Sequence, residues 1–333
     1  MQERLRLFQA NFLAVNTVTS YTTGIRQYVV FCAIFRKHLQ VFPIFPVSDT
    51  ALANFVVWES QFVAPSSVKQ YIHGIAAWQE WNNVPFPKLK DRLPVFQALQ
   101  GLKRYFGAPS VSVMEVTAPM LLAIHVQVDF TDPDDITLWA AFLLAYYCTL
   151  RKDNLSVGKA SAFNPRASLC NGDLMINSAS LRGEVLIKHA KQNQFFERNH
   201  SIPLVGYGGK LCVTSALSEM LFKVPCSREA SKPLFQVRSG KSFGPMTHSF
   251  FVRGFKRLAK AAGYDPDKYS GHSFRRGSAS AAFKQNVTKE LIKWQGDWSS
   301  DAWERYVELS DNQKTQVPKA LVADAAAAEG FTF

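Results

Sequence analysis

A histidine, an arginine, a tryptophan and a tyrosine near the C-terminal end of the sequence are residue types suited to chemistry on a phosphate group. His272 and Arg275 lie three residues apart, so on a helix their side chains share one face, about 5–6 Å apart at Cβ. The arginine can hold two oxygens of one phosphate, while the histidine gives or accepts a proton. Trp298 and Tyr306 follow in the chain. This segment predicts an anion site.

Two further basic residues upstream have unusual surroundings. Arg151 directly follows an apolar helical run that ends Tyr-Tyr-Cys-Thr-Leu. Burying an arginine there costs free energy unless an anion or a carboxylate meets it. Lys191 lies in a basic turn after a predicted strand, where Lys188 is an alternative candidate.

The sequence resembles the tyrosine recombinases, also called phage-type integrases, in an ordered set of residues: Arg151, Lys191, His272, Arg275, Trp298 and Tyr306. Around these positions, Leu-Arg-Lys-Asp-Asn-Leu at 150–155 and Gly-Asp-Trp-Ser-Ser-Asp-Ala at 296–302 look closest to the Crypton and DIRS-type recombinases of eukaryotic mobile elements. The resemblance covers nearly the whole chain. It implies a helical core-binding domain and a mixed catalytic domain that together form a clamp around DNA.

The resemblance also implies a role for each residue. Tyr306 would attack a DNA phosphate, giving a 3′-phosphotyrosyl link and a 5′-hydroxyl, so rejoining needs no ATP. Arg151 and Arg275 would stabilise the phosphorane. Lys191 would protonate the leaving 5′-oxygen, and His272 would assist proton transfer at the tyrosine. We expect no metal and no cofactor.

The sequence departs from the family pattern at two positions. The family often has an acid three residues after the first arginine, where this chain has Asn154, with Asp153 one residue earlier. Either residue could orient Arg151. Family members with Gly-His place that histidine nine residues before the tyrosine, which here is Asp297. Because an indole N–H can donate to a phosphate oxygen and an ionised carboxylate cannot, Trp298 is the preferred residue.

The charge balance also favours a polyanionic partner. The 333 residues include 38 Lys and Arg against 26 Asp and Glu, a formal net charge of +12. A basic protein of this size suits nucleic acid first and an acidic membrane surface second. Eleven basic and five acidic residues precede residue 108, so the excess is denser in the N-terminal part.

Composition excludes several other classes. Hydrophobic residues at 47% and charged residues at 19% indicate a folded protein rather than a disordered or fibrous one. The sequence has no apolar run of the ~18 residues that a membrane span needs, and because Met1–Arg4 carries an acid we expect no secretory signal there. The five cysteines are scattered without metal-ligand spacing, which predicts reduced thiols and no zinc.

The periodicity predicts a mainly α protein with a small antiparallel sheet (α+β). Residues 1–107 indicate a helical domain, with a serine at 66 or 67 capping its third helix, and residues 108–333 indicate a mixed domain with a helical tail. Three short strands are expected near 173–177, 185–189 and 201–204. Gly240-Lys241-Ser242 and the glycines at 206–209 are expected to be turns rather than phosphate loops.

We expect double-stranded DNA to contact polar helix faces through these residues: Arg26, Lys69, Gln70, His73, Lys256, Arg257 and Arg276. The tail, 317–333, is apolar on one side. In the family such a tail often docks on a neighbouring subunit, which implies a tetramer on two duplexes. The alternative is that the tail packs on its own catalytic domain.

The sequence therefore predicts a DNA breaking and rejoining enzyme for site-specific recombination or integration. Two alternatives stay open: a DNA-binding protein of the same fold that does not cut, and a relaxing topoisomerase with the same tyrosine chemistry. A nuclear location follows from this function, although the sequence has no dense Lys/Arg run.

Overall fold

The computed structural model describes residues 13, 15–35, 44–106, 113–189, 199–307 and 314–328. The chain forms two compact units, Met1–Val111 and Ser112–Phe333. The DNA-binding and catalytic roles of the two units stay predictions.

The first unit is helical in its described part. Its α-helices are α1 (Val15–Phe35), α2 (Asp49–Glu59), α3 (Pro65–Trp81) and α4 (Leu93–Tyr105). Aromatic and aliphatic side chains on their facing sides form one core, with Tyr28, Phe31 and Phe55 fully buried. Ser48 caps α2 by accepting a hydrogen bond from the amide of Ala51 at 3.2 Å.

The predicted serine cap of α3 is wrong. The helix begins at Pro65 and its N-cap is Ala64, which makes no side-chain capping bond. Proline at the first helical position needs no amide partner and has a preset φ, so it begins the helix one or two residues before the serines.

The second unit combines helices with two small sheets. Its helices are α5 (Ala118–His125), α6 (Pro133–Tyr147), α7 (Lys152–Leu155), α8 (Val213–Lys223), α9 (His248–Ala261), α10 (Ser273–Lys284), α11 (Lys289–Gln295) and α12 (Gln316–Ala328). Its strands are β1 (Leu174–Asn177), β2 (Arg182–Ile187), β3 (His200–Val205), β4 (Gln236–Ser239) and β5 (Ser242–Pro245).

Helix α6 forms the centre of this unit. Its residues from Asp135 to Ala145 are all buried. Phe142 lies within 5.3–5.6 Å, between ring centroids, of Phe251 and Phe255 on α9 and of Phe274 on α10. Since burying each such ring contributes roughly 1.5–3 kcal/mol, this cluster fixes where α10 begins.

The predicted antiparallel sheet is present, in the order β1-β2-β3. A second sheet, β4-β5, was not predicted. It pairs Ser239 with Ser242 across the turn residues Gly240 and Lys241. Gly240 has φ +62°, as the first turn residue of a type II′ hairpin requires, so the apparent phosphate-loop segment is a turn as expected.

Helices α6, α10 and α11 end in the same way, with a left-handed residue after the cap. These residues are Thr149, Asn286 and Asp297, with φ +54°, +60° and +52°. In each case the following amide reaches back five residues, as when Leu150 donates to the Ala145 carbonyl at 3.0 Å and Trp298 to the Lys293 carbonyl at 3.0 Å. This is the Schellman motif, here without glycine at its usual position.

Candidate active site

Arg275 joins two helix ends in the interior of the second unit. Its side chain is among the largest that are fully buried, with 2% of the residue exposed. One Nη donates to the carbonyl of Thr149 at 2.7 Å, and the other donates to the carbonyl of Gly296. These carbonyls lie at the C-terminal ends of α6 and α11, where helix dipoles are negative. The two helix ends therefore stabilise the buried guanidinium and fix its orientation.

Trp298 covers the face of the same guanidinium. The Arg275 Cζ atom lies 3.6 Å from the centroid of the indole ring. The indole is buried and packs in a cluster with Ala279, Ile292 and Trp303. A cation over an indole face is stabilised by about 0.5–2 kcal/mol. Trp298 therefore packs in this apolar cluster and also contacts the basic site through its ring face.

Gly296 is the residue that allows this stack. A Cβ atom built there would lie 1.7 Å from the indole Cζ3 atom of Trp298 and 2.1 Å from its Cε3 atom. Its carbonyl also accepts from Arg275. In the Gly-Asp-Trp segment, Gly296 has no side chain to collide with the indole ring. Asp297 turns the chain in a left-handed conformation, and the ring of Trp298 then stacks on Arg275.

Arg151 lies at the N-cap of the short helix α7, two residues after the left-handed Thr149. Asn154 Oδ1 accepts from the Arg151 backbone amide at 3.1 Å, and Asn154 Nδ2 donates to the His189 carbonyl at 3.3 Å. Asn154 therefore fixes the backbone at Arg151. The carboxylate of Asp153 contacts Lys152 Nζ at 2.6 Å and His248 Nε2 at 3.2 Å.

His272 is exposed at the N-cap of α10 and lies in the field of this basic cluster. Partial burial, together with the charges of Lys152, Arg151 and Arg275, lowers its pKa, and the carboxylate of Asp153 opposes this effect. A lowered pKa keeps the imidazole neutral at pH 7, so it can accept a proton. The structure thus brings Arg151, His272 and Arg275 into one cluster, with Trp298 against it.

The remaining two predicted catalytic residues are less completely described. Lys191 lies outside the described residues. The alternative candidate Lys188 forms an ion pair with Asp173 at 2.6 Å and donates to the Pro165 carbonyl at 2.7 Å, contacts that give it a structural role. Tyr306 is the last residue of a short 3₁₀ helix, Asp301–Tyr306, which packs on α10 and α11. Its side chain lies outside the described part of the chain.

Trp303 positions that short helix and was not predicted from the sequence. It is 4% exposed, and its ring centroid lies 6.1 Å from that of Phe283 on α10. A buried tryptophan three residues before the tyrosine fixes the backbone that carries Tyr306. The signal available in the sequence was its spacing from Trp298, because both rings fill one small apolar cluster.

Of the three residues predicted to contact DNA in the second unit, Lys256 and Arg257, both on helix α9, form ion pairs with carboxylates. Arg257 pairs with Asp135, whose side chain is 5% exposed, and Lys256 pairs with Asp267 at 3.0 Å. Helix α9 is therefore bound to carboxylates of its own unit at these positions. Arg276 is half-buried on α10, next to Arg275.

The predicted contacts in the first unit lie on α1 and α3. The side chains of Arg26, Lys69 and His73 reach the solvent. Partial desolvation of the His73 ring, together with the positive charge of Lys69, lowers the pKa of His73. Gln70 lines an open groove of about 390 Å³ between the two helices. The other lining residues are polar or aromatic: Ser20, Thr23, Ser66, Ser67 and Tyr71.

The tail forms α12, on which Leu321 and Val322 are 64% and 54% exposed. These two side chains are not buried against the second unit. None of the helices in the described ranges combines the length and apolar character that crossing a bilayer requires. Within the same ranges, no three His, Cys, Asp or Glu side chains form a group that could hold a metal ion.

Comparison with known proteins gives matches in structure alone. No family model matches the chain, and no curated protein matches it. Among solved structures, XerH site-specific recombinase in a post-cleavage complex with palindromic difH substrate is 12% identical, with 91% of this chain and 79% of that chain covered and a TM-score of 0.64.

Two integrases are similar in the same way. The Tn1549 transposon integrase in complex with transposon right end DNA is 12% identical, covering 92% and 99% of the two chains, with a TM-score of 0.56. A lambda integrase dimer bound to a COC′ core site is 15% identical, covering 92% and 93%, with a TM-score of 0.52. The chain therefore has the tyrosine recombinase fold. Within that fold, Arg151, His272, Arg275 and Trp298 form its basic cluster.

Proposed function

We propose that the protein is a site-specific DNA recombinase or integrase that cuts and rejoins double-stranded DNA through a 3′-phosphotyrosyl intermediate, without metal or ATP. The observation that carries this proposal is the cluster of Arg151, His272, Arg275 and Trp298, together with the short helix that ends at Tyr306. The fold shared with recombinases solved on DNA supports it.

In the proposed reaction Tyr306 Oη attacks the scissile phosphorus, and the bond from phosphorus to the 5′-oxygen breaks. The phenol proton passes to His272, whose lowered pKa leaves it neutral and able to accept. Lys191 gives a proton to the leaving 5′-oxygen. The positive charges of Arg151 and Arg275 stabilise the phosphorane, and because they are held in place before the reaction they cost little reorganisation.

The proposal extends to the DNA contacts of the protein, its oligomeric state and the kind of genetic element that encodes it. We place DNA on the exposed faces of α1 and α3 through Arg26, Lys69, Gln70 and His73, with Arg276 beside the cluster. The exposed apolar residues of α12 suit docking on a second copy, giving a tetramer on two duplexes. We assign the chain to a mobile element of the Crypton or DIRS type, acting in the nucleus.

The test is covalent capture of DNA. A library of nicked duplexes with a random central segment is incubated with the full chain in EDTA, and protein-linked DNA is recovered under denaturing conditions and sequenced. We expect wild type and Tyr207→Phe, a control at an exposed tyrosine, to give a linked band with an enriched sequence. Tyr306→Phe should give none.

The outcomes separate the alternatives. Enriched but never linked DNA, bound in a salt-sensitive way, would leave the non-cutting DNA-binding protein. Linked DNA without any sequence preference, together with relaxation of supercoiled plasmid, would leave the topoisomerase. A linked band that persists in Tyr306→Phe would remove Tyr306 as the nucleophile.

A further inference from the structure

A chain of polar side chains beside the basic cluster takes no part in the reaction proposed above. His248 is the first residue of α9. Its Nδ1 lies 2.9 Å from Ser156 Oγ, and its Nε2 lies 3.2 Å from Asp153 Oδ1. Its backbone amide donates to the Val157 carbonyl at 2.8 Å. The ring is therefore fixed by contacts at its backbone and at both nitrogens.

The hydrogen-bond geometry keeps His248 bound to Asp153 in either protonation state. In the neutral ring Nε2–H donates to Asp153, and Nδ1 accepts from the Ser156 hydroxyl. In the protonated ring both nitrogens donate, and the Ser156 hydroxyl turns to the Lys152 carbonyl, which lies 2.7 Å from Oγ. The Ser156 hydroxyl can therefore donate to the neutral ring or accept from the protonated ring, while Nε2 donates to Asp153 in both protonation states of His248.

Asp153 needs such a partner to keep one position. Its side chain is 60% exposed, and its other ion-pair partner is Lys152, whose side chain is 32% exposed. It is also the acidic group acting on His272, against the positive charges of Lys152, Arg151 and Arg275. Of the four charged groups in the described residues that act on His272, Asp153 alone is negative, so a carboxylate that moved away would leave the three positive ones unopposed.

We propose that His248 is a positioning residue for strand cleavage: it holds in place the Asp153 carboxylate, whose negative charge acts on His272, so that this imidazole can take the proton of the attacking tyrosine. This inference rests on the proposed function. Contacts link Ser156 to His248 and His248 to Asp153, and the negative charge of Asp153 acts on His272.

The first test uses single-turnover cleavage of the DNA selected above, from pH 5.5 to 9. His248→Gln keeps an amide donor near the Nε2 position, whereas His248→Asn reaches the Nδ1 position alone. We expect about a tenfold loss of rate in His248→Ala and His248→Asn and near wild-type rates in His248→Gln, as for one charge-assisted hydrogen bond. DNA affinity should be unchanged, and His125→Gln serves as the histidine control.

A double-mutant cycle then links the two residues. On an Asp153→Asn background, His248→Ala should cause no further loss, because its contact is already weakened. Wild-type cleavage together with an unimpaired His248→Ala would overturn the inference and leave the proposed function standing. Equal losses in His248→Gln and His248→Ala would also overturn it. Absence of cleavage by wild type on any DNA overturns the proposed function itself.

A second measurement requires no cleavage. Nitrogen-15 NMR of the histidine rings reads which nitrogen of His248 carries the proton at neutral pH. We expect the Nε2–H tautomer in wild type and a loss of that preference in Asp153→Asn. A wild-type ring protonated at Nδ1 alone would overturn the arrangement, whatever the cleavage assays show.

Discussion

Replacing Gly296 by alanine tests the stack of Trp298 on Arg275. The new Cβ atom would lie 1.7, 2.1 and 2.4 Å from three ring carbons of Trp298. Because unstrained carbon contacts are about 3.5–4.0 Å, the ring must shift by roughly 1.5–2 Å. The backbone at Gly296 has φ −84°, which alanine adopts without strain, so the clash with the ring is the cause of any effect.

The expected cost follows from these contacts. Overpacking of a buried ring costs about 1–3 kcal/mol, and losing the cation–π contact costs about 0.5–2 kcal/mol more. The two costs together span about 1.5–5 kcal/mol, so we expect the free energy of opening of α10 and α11 to fall by about 2 kcal/mol or more, which is a change of about 30-fold or more in the opening equilibrium. Cleavage should slow as well, since the ring no longer holds the guanidinium.

Hydrogen exchange measured by mass spectrometry resolves this effect within the two-unit chain. Peptides from α10 and α11 should exchange faster by about 30-fold or more in Gly296→Ala, at rates set by local opening. Gly101→Ala is the matched control, because no atom lies within 4 Å of its added Cβ. On α4 it should be neutral or slightly stabilising.

A double mutant provides the refutation. In Trp298→Ala the ring is absent, so adding Gly296→Ala should cost nothing further. If Gly296→Ala costs as much without the ring as with it, the assignment of its effect to Trp298 is wrong.

Three further changes have expected outcomes. Lys152→Met removes one of the positive charges that lower the pKa of His272, so this pKa rises and the acid limb of the cleavage profile moves to higher pH in a pH–rate series. Arg257→Leu leaves the carboxylate of Asp135 without its ion-pair partner and should lower the free energy of unfolding by about 1–3 kcal/mol in urea titrations. Asn286 has φ +60°, a left-handed conformation that asparagine adopts more readily than alanine because its side chain can form local hydrogen bonds. Asn286→Ala should therefore lower the free energy of unfolding by about 1–2 kcal/mol in the same titrations.

Helix positions and the small antiparallel sheet could be predicted because they depend on local periodicity. The helical character predicted for the first 107 residues is found in the described part of the first unit. The apolar helical run before Arg151 continues to Leu150 in the sequence, but the central helix α6 ends at Tyr147. Its end depends on Thr149 in a left-handed conformation, for which a threonine gives no local signal.

The candidate site was predicted as residue types in order, and its geometry could not be. Arg275 was expected to hold a phosphate from a helix face, yet its Nη atoms contact backbone carbonyls of Thr149 and Gly296. Every residue has a backbone carbonyl, so residue types alone do not indicate which carbonyls the arginine will contact. His248 was not predicted because Asp153 lies 95 residues away, and only the folded chain brings the two together.

The contacts of Arg275 also affect how strongly its charge attracts an anion that it does not touch. Its contacts with Thr149 and Gly296 are with neutral carbonyl groups at helix ends. Dipoles stabilise the guanidinium at close range, but their field falls with distance faster than that of its full unit charge. At about 6 Å and an effective dielectric near 20, that charge still attracts a phosphate anion by roughly 3 kcal/mol. The two carbonyl dipoles therefore hold this arginine at close range, while its unit charge acts further out, on an anion several ångströms away.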